Sequence, residues 1–226
     1  VLLAGGSANA PQHYSAIPFW PLSLSEIYDP NSGQSQYCAP QQFGLPYSTY
    51  ALPVQFPWTP RVYHSVALLL PDGRVLVAGG EHLSVNQWAL SSTPPPIALD
   101  AAAADWTAEI YSPPYFFKGL AQPTVSGPSQ ALFGTTIKIN VTSTFAGVLD
   151  RVVLIRPGSV THHFDNDQRY IELRQITEPS QHAGSKKHDV TMMPSNLGPP
   201  GWYMLFAVVK SGNDRIPSQA LWIQVQ

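Results

Sequence analysis

The sequence predicts an all-β protein in which the last blades of a β-propeller precede an immunoglobulin-like β-sandwich. Three observations lead to this prediction. Apolar residues do not recur at three- and four-residue spacing over any long window, which argues against amphipathic helices. Short runs of Val, Ile, Leu, Tyr and Phe are instead separated by Gly and by 23 prolines, about twice the usual share. The spacing of these runs changes midway along the chain, which indicates two modules.

The clearest pair of strands lies in residues 61–80, RVYHSVALLLPDGRVLVAGG. Two apolar runs, 62–70 and 74–78, flank the tripeptide Pro71-Asp72-Gly73. Pro sets φ for a turn, Asp caps the turn and Gly accepts a positive φ, so the tripeptide predicts a hairpin. Because both runs are almost continuously apolar, we expect these strands to be covered on both faces.

An internal repeat surrounds this hairpin. VLLAGG at residues 1–6 returns as VLVAGG at 75–80, and SEIYDP at 25–30 returns as AEIYSP at 108–113. Each copy indicates a strand that ends in Gly-Gly, then a loop, then a strand with Glu-Ile-Tyr. Repeated strands that pack face to face are typical of propeller blades, with long loops at 7–24, 31–60 and 81–105. We therefore assign residues 1–119 to propeller blades.

The pattern changes after Tyr115-Phe116-Phe117. From Pro123 onward short strands follow one another at regular spacing: TTIKINVTS, RVVLIRP, HDVTMM, WYMLFAVVK and ALWIQVQ. Turn signals such as RPGS and KSGNDRIPS separate them. This spacing is typical of an immunoglobulin-like β-sandwich, which we assign to residues 120–226.

Composition narrows the classes of function. Only 12% of residues are charged, the net charge is −2, and the best basic cluster is Lys186-Lys187, so a nucleic-acid interface is not expected. No apolar run is long enough to span a bilayer. The sequon Asn140-Val141-Thr142 predicts glycosylation, and with the low charge and high proline content it favours a secreted protein. Cys38 is the single cysteine, which suggests that any disulfide partner lies elsewhere. The chain starts within a predicted strand without an initiator Met, so we expect a fragment or a processed product.

Two places carry candidate metal ligands, and no HExxH, CxxC, GxSxG or GxGxxG motif is present. Tyr63 and His64 lie at the head of the predicted strand 62–70, and Thr161-His162-His163 follows the RPGS turn. Neighbours on a regular strand point to opposite faces, so Tyr63 and His64 reach one ion only if the backbone leaves the regular pleat or the pair lies just before the strand begins. A phenol and imidazoles suit a redox-capable metal, although each histidine could equally be an ordinary hydrogen-bonded or exposed residue.

Several of these segments resemble the galactose oxidase and glyoxal oxidase family of mononuclear copper-radical oxidases. Residues 61–80 resemble its late propeller stretch, and AEIYSPPYFF resembles the segment that leads into its C-terminal domain. VTHHFDNDQRYIEL resembles its Thr-His-x-x-x-x-Asp-Gln-Arg ligand loop, and PPGWYMLFAVV and RIPSQALWIQV resemble its closing strands. The resemblance covers essentially the whole chain, and it implies a partial kelch-type β-propeller followed by the immunoglobulin-like domain.

The resemblance also implies a copper site and a reaction. Tyr63 matches the axial tyrosine that takes the proton from the bound alcohol, and His64 and His162 match the two imidazole ligands. The substrates implied are a primary alcohol, an aldehyde or a carbohydrate, together with O2, and the product is H2O2. The family's second tyrosine is cross-linked to a cysteine, and this radical cofactor is expected upstream of the chain, so Cys38 is not assigned that role. His163 is an alternative ligand or an outward-pointing loop residue.

The neighbours of His162 have two open interpretations. Thr161, Asp167 and Arg169, together with Gln168, either brace the His162 loop through hydrogen bonds or are exposed turn residues.

Three functions follow from these observations. The first is the C-terminal part of a secreted copper-radical oxidase, which is incomplete as this chain alone and needs the upstream propeller portion of the same protein. The second is a non-catalytic extracellular or cell-wall protein, structural or carbohydrate-associated, on the same scaffold. The third is a carbohydrate-binding module that uses Trp20, Trp58 and Trp88.

Overall fold

The computed structural model describes residues 2–3, 7–8, 20–21, 26–29, 32–37, 64–80, 107–162, 164–175 and 181–226. Most of these residues lie in β-strands or in the turns between strands. The single helix among them is a four-residue 3-10 helix, Pro114–Phe117. The predicted all-β class is therefore confirmed. Across the described part of the chain, no helix has the length and apolar character needed to cross a membrane.

The chain divides into two compact units. The first comprises Val1–Ala67, Leu76–Ile110 and Thr161–His163, and the second comprises Leu68–Val75, Tyr111–Val160 and Phe164–Gln226. His64 and His162 therefore belong to the same unit, although they are far apart in sequence. The boundary between residues 119 and 120 stays a prediction.

The described strands of the N-terminal half are short and antiparallel where their register is defined. They are β1 (Leu2–Leu3), β2 (Ser7–Ala8), β3 (Trp20–Pro21), β4 (Glu26–Asp29), β5 (Gln34–Tyr37), β6 (Ser65–Leu69), β7 (Val75–Gly79) and β8 (Ala108–Tyr111). Two three-stranded sheets have the orders β1-β4-β5 and β6-β7-β8, and β2 pairs with β3. In each three-stranded sheet the strand that leads into Gly-Gly neighbours the strand with Glu-Ile-Tyr, so the repeat in the sequence is a repeat of strand pairing.

The predicted hairpin is formed by β6 and β7. The N–H of Gly73 donates to Leu70 O at 2.9 Å, and Asp72 Oδ1 accepts the N–H of Arg74 at 3.0 Å. Gly73 has φ of +85°, as the turn prediction required. The expected cover on both faces was wrong, because Val77 is the one buried apolar residue of the two strands and Ala67 is exposed. An apolar run permits burial, but other segments have to supply the cover.

The C-terminal half contains the longest strands of the described chain. Its strands are β9 (Thr124–Ser126), β10 (Gln130–Ala131), β11 (Thr136–Arg156), β12 (Val160–Thr161), β13 (Phe164–Asp165), β14 (Arg169–Gln175), β15 (Gln181–Thr191), β16 (Gly201–Ser211), β17 (Asp214–Pro217) and β18 (Leu221–Val225). Their main sheet has the order β10-β18-β16-β11-β14-β15, with β9 on β11 and β17 on β16. Strands β12 and β13 form a separate two-stranded hairpin.

One strand replaces two that the sequence predicted separately, TTIKINVTS and RVVLIRP. Strand β11 is 21 residues long, and it pairs with β15 along its first part and with β16 and β14 along its second part. A straight strand of this length would span roughly 70 Å, too long for one small domain, so it has to bend. The register shifts between Ser143 and Gly147, where a Cβ on Gly147 would lie 2.6 Å from Lys210 O.

The run WYMLFAVVK forms β16, which is buried on both faces. Tyr203, Leu205, Ala207 and Val209 point into the main core, which also contains buried residues from both parts of β11. The alternate residues Met204 and Phe206 form a second cluster with Val153, against which Leu69, Ile155 and Ala220 pack. The continuous apolar run is therefore explained by a central strand with cover on both sides.

The β6–β7 turn is held by residues of the second unit, to which it belongs. The carbonyls of Pro71-Asp72-Gly73 accept hydrogen bonds, in that order, from Ala220 N–H at 2.8 Å, Gln122 Nε2 at 2.8 Å and the Tyr115 hydroxyl. Burial, and after it the charge of Asp72, raises the pKa of Tyr115 well above its usual value, so the phenol stays protonated and can donate. The β6–β7 turn is thus anchored within its own unit.

Candidate metal centre

The structure brings two of the three predicted ligands together. The imidazole rings of His64 and His162 lie edge to face, with centroids 5.0 Å apart and an interplanar angle of 80°. This separation is within the ordinary range of aromatic contacts, so the ring contact alone does not identify a metal site. Tyr63 and His163 lie outside the described residues.

The backbone distinguishes these two histidines from the rest of the described chain. His64 has φ of 63° and His162 has φ of 51°, and they are the only described residues other than glycine with positive φ. This conformation costs an L-residue roughly 1–2 kcal/mol, and such residues cluster at functional sites. His64 also precedes the first residue of β6, so it meets the condition that the backbone leaves the regular pleat beside Tyr63.

Gly79 contacts the backbone of His64 at the end of the neighbouring strand. Gly79 has φ of +69°, and its N–H donates to Thr107 O at 3.4 Å. A Cβ on Gly79 would lie 3.3 Å from the His64 carbonyl oxygen, which is tighter than ordinary van der Waals contact. Sequence analysis missed this role, although Gly79 belongs to the repeated Gly-Gly pair.

His162 lies in the connection between β12 and β13. Its Nδ1 is 2.7 Å from the hydroxyl oxygen of the preceding Thr161. When the hydroxyl accepts a proton carried by Nδ1, the tautomer leaves Nε2 without a proton, as metal coordination requires. Thr161 therefore lies where the predicted bracing role needs it, and that role stays a prediction.

Asp165 organises the hairpin that carries His162, and the sequence analysis did not single it out. One carboxylate oxygen, Oδ1, accepts three backbone N–H groups, from Ser159 at 3.1 Å, Asp167 at 3.0 Å and Gln168 at 2.9 Å. Partial burial would raise the pKa of Asp165, but these N–H groups together lower it below its usual value. A Cβ on Gly158 would overlap the other carboxylate oxygen, so a side chain there would displace Asp165. The sequence FDND at residues 164–167 could have indicated this role, because Asp side chains favour hydrogen bonds to nearby backbone N–H groups in turns.

Asp167 and Arg169 lie at the base of the same hairpin. Asp167 Oδ1 is 3.5 Å from Arg156 Nε and 3.7 Å from Arg169 Nη1, and Arg169 Nη1 also donates to the Asp167 carbonyl at 3.0 Å. These groups are partly exposed, so each ion pair is worth about 0–1 kcal/mol, less than the three bonds to Asp165 together. Arg156, which sequence analysis also missed, lies 5.7 Å above the Tyr203 ring. The bracing role of Asp167 and Arg169 stays a prediction.

The spacing and chemistry of His64 and His162 are compatible with two ligands of one copper ion. Among the described residues, no group of three or more His, Cys, Asp or Glu side chains could hold a metal ion. Two imidazoles that bind one first-row ion at about 2 Å must bring their centroids to roughly 4–6 Å, which the observed 5.0 Å satisfies. Imidazole suits copper by its softness. His64 and His162 could therefore contribute two of the four ligands that the resemblance implies.

The other predicted residues lie away from this pair. Asn140 lies within β11 between β9 and β15, and its Oδ1 accepts a hydrogen bond from Ser185 Oγ at 2.9 Å. Glycosylation of this half-buried side chain stays a prediction. Trp58, Trp88 and Cys38 lie outside the described residues, and only the backbone of Trp20 is described.

Comparisons with known proteins identify the family of this chain. Residues 122–225 match the galactose oxidase-like early set domain. An aldehyde oxidase, GLOX, from Vitis pseudoreticulata is 30% identical in an alignment that covers the whole chain. The chain belongs to the galactose oxidase and glyoxal oxidase family. An aldehyde oxidase from Arabidopsis thaliana is 30% identical over 74% of the chain, and a galactose oxidase from Gibberella zeae is 29% identical over 73%.

As a member of the galactose oxidase and glyoxal oxidase family, the chain has the predicted fold class. The prediction of a partial kelch-type β-propeller followed by an immunoglobulin-like β-sandwich is confirmed. The chain spans 39% of the length of the Vitis relative, 26% of the Arabidopsis relative and 21% of the Gibberella relative.

Proposed function

We propose that this chain is the C-terminal part of a secreted copper-radical oxidase that oxidises primary alcohols or aldehydes with O2. The observation that supports it most is the meeting of His64 and His162, each in a left-handed backbone conformation, at the two positions that match the family's imidazole ligands. The relatives' names, aldehyde oxidase and galactose oxidase, support the class of reaction.

The chain would contribute ligands and a base to this reaction. His64 and His162 would bind and orient the copper through their ring nitrogens, with Thr161 holding the proton of His162 on Nδ1. Tyr63 would bind copper beside them and take the hydroxyl proton of the substrate. Bound copper, together with the Tyr-Cys radical cofactor expected upstream, would supply one-electron redox chemistry at this position.

The overall reaction balances without another co-reactant. A primary alcohol loses two electrons and two protons to become an aldehyde, and O2 gains them to become H2O2. A hydrated aldehyde is oxidised to a carboxylic acid by the same exchange. The upstream propeller portion of the same protein would supply the remaining ligand, the radical cofactor and most of the substrate pocket.

The test uses the complete protein rather than this chain alone. Purified complete protein loaded with copper should form H2O2 from one or more members of a panel of primary alcohols, aldehydes and sugars. Tyr63→Phe should lower kcat by about 10²–10⁴-fold, because it removes the base. Tyr170→Phe, at an exposed tyrosine on β14, is the matched control and should leave kcat unchanged.

Two outcomes would contradict the proposal. Copper content that is unchanged in His162→Ala would remove the ligand assignment. A complete protein that binds copper but forms no H2O2, and that lacks an upstream tyrosine and cysteine in cross-linking positions, would favour the non-catalytic extracellular or cell-wall protein instead.

Secretion is part of the same proposal. The low charge of the chain and the sequon at Asn140 support it. Protein from the native source should lose mass on treatment with an N-glycosidase, and Asn140→Gln should remove that loss. A native protein of unmodified mass would contradict glycosylation at Asn140.

A further inference from the structure

Different features surround the left-handed backbones of His64 and His162: a close glycine beside His64, and a hydrogen-bonded hairpin around His162. His64 lies against Gly79 of β7, which has left-handed geometry of its own. His162 lies in the β12–β13 hairpin, which Asp165 closes by accepting three backbone N–H groups.

The absence of a side chain at Gly79 leaves room for the backbone of His64. A side chain there would press on the His64 carbonyl oxygen at 3.3 Å and would also strain the φ of +69°. Relief of that pressure would move the His64 backbone, and the imidazole would move with it because the ring is attached to the same Cα.

Asp165 supplies the hydrogen-bond acceptor that joins the two sides of the loop containing His162. The three N–H groups belong to Ser159 before the histidine and to Asp167 and Gln168 after it, so one oxygen joins both sides of the connection. Loss of that oxygen would leave three donors without their shared acceptor and would let the two sides separate.

We propose that Gly79 and Asp165 are positioning residues that hold His64 and His162 at the separation that one copper ion needs. This inference rests on the proposed copper site. Positioning residues of metal ligands usually change metal affinity when they are replaced, by about 10- to 100-fold. We therefore expect each replacement to weaken copper binding although neither residue is a ligand.

The Asp165 side is tested by copper titration of the complete protein against a competing chelator. Asp165→Ala should weaken Cu(II) binding by about 10- to 100-fold. Asp165→Asn keeps an acceptor oxygen and should recover most of the affinity. Asp189→Ala removes a carboxylate of β15 that is paired with Lys138 at 2.8 Å, and as the control it should bind copper like the wild type.

The Gly79 side has a control of equal backbone strain. Gly134 also has φ of +69°, but a Cβ there would meet nothing within 4 Å. Gly79→Ala and Gly134→Ala should both lower the thermal midpoint of the metal-depleted protein. Only Gly79→Ala should weaken copper binding, by about 10- to 100-fold, and change the EPR spectrum of bound Cu(II).

His162→Ala in the same titration tests the copper site separately from the positioning roles of Gly79 and Asp165. If His162→Ala loses copper while Asp165→Ala and Gly79→Ala bind it as tightly as the wild type, the positioning roles are wrong and the copper site stands. If Gly134→Ala weakens copper binding as much as Gly79→Ala, the effect is general strain and the role of Gly79 is overturned. If His162→Ala keeps its copper, both the proposed site and this inference fall.

Discussion

The rings of His64 and His162 meet edge to face at 5.0 Å, although one residue precedes β6 and the other follows β12. Both residues have the positive φ that no other described residue except glycine adopts. A left-handed backbone is uncommon for residues other than glycine, and such residues cluster at functional sites. The proposed shared copper ion would give this strain a function.

The hydroxyl of Thr161 should control the affinity of His162 for copper. Thr161→Val keeps the shape of the side chain but removes the oxygen 2.7 Å from Nδ1, so the correct tautomer is no longer favoured. We expect about 10- to 100-fold weaker copper binding in the complete protein, measured by competition with a chelator. Thr161→Ser should bind copper like the wild type. Equal affinity in the Val and Ser variants would exclude this role.

The anchoring of the β6–β7 turn should contribute measurable stability. Gln122 Nε2 donates to Asp72 O at 2.8 Å and to Pro217 O at 3.3 Å, so Gln122→Leu leaves two carbonyls without this donor. We expect a loss of about 1–3 kcal/mol in the free energy of unfolding, from urea denaturation of the complete protein.

Gln130→Leu is the matched control for this prediction. Its Nε2 donates to Gln224 Oε1 at 3.3 Å on an exposed surface, so the same substitution should change stability by no more than about 0.5 kcal/mol. Similar losses in the two variants would show that the turn is not anchored through Gln122.

His188 should make stability depend on pH. This buried histidine of β15 pairs in register with Ile139, and burial, followed by the charge of Lys186, lowers its pKa below the usual value. As pH falls, the unfolded chain therefore binds a proton at this residue before the folded chain does. The neutral imidazole contributes stability that is present above about pH 6.5, the unfolded value, and that is lost as pH falls through the folded pKa.

The measurement compares the free energy of unfolding at pH 7.5 and at pH 5 in the wild type and in His188→Gln. Gln carries no proton in this range, so the variant should lose less stability between the two pH values. If the two proteins lose the same amount, His188 does not control the pH dependence.

The sequence predicted those features that depend on residues close together in the chain. The turn at Pro71-Asp72-Gly73 follows from the preferences of its own residues, and the strands that lead into Gly-Gly do neighbour the strands with Glu-Ile-Tyr. The single long strand β11 could not be predicted, because its continuity depends on partners from β15, β14 and β16. Length and apolar pattern are the same for one bent strand and for two separate ones.

The candidate site was predictable only in part for a similar reason. The resemblance nominated His64 and His162, which lie far apart in the sequence, and no local pattern predicts that their rings meet. The left-handed backbone of His162 is accompanied by a carboxylate whose partners include Ser159, on the far side of the histidine. A sequence pattern records the residue types but not which backbone N–H groups one oxygen accepts.

The most direct test of the copper site is EPR spectroscopy of Cu(II) bound to the complete protein. If His64 and His162 ligate the same ion, nitrogen hyperfine coupling from two imidazoles should be present in the wild type. Any Cu(II) that His64→Ala or His162→Ala still binds in excess metal should show coupling from no more than one imidazole. A coupling pattern that stays the same in either variant would contradict the claim that these two histidines share one copper ion.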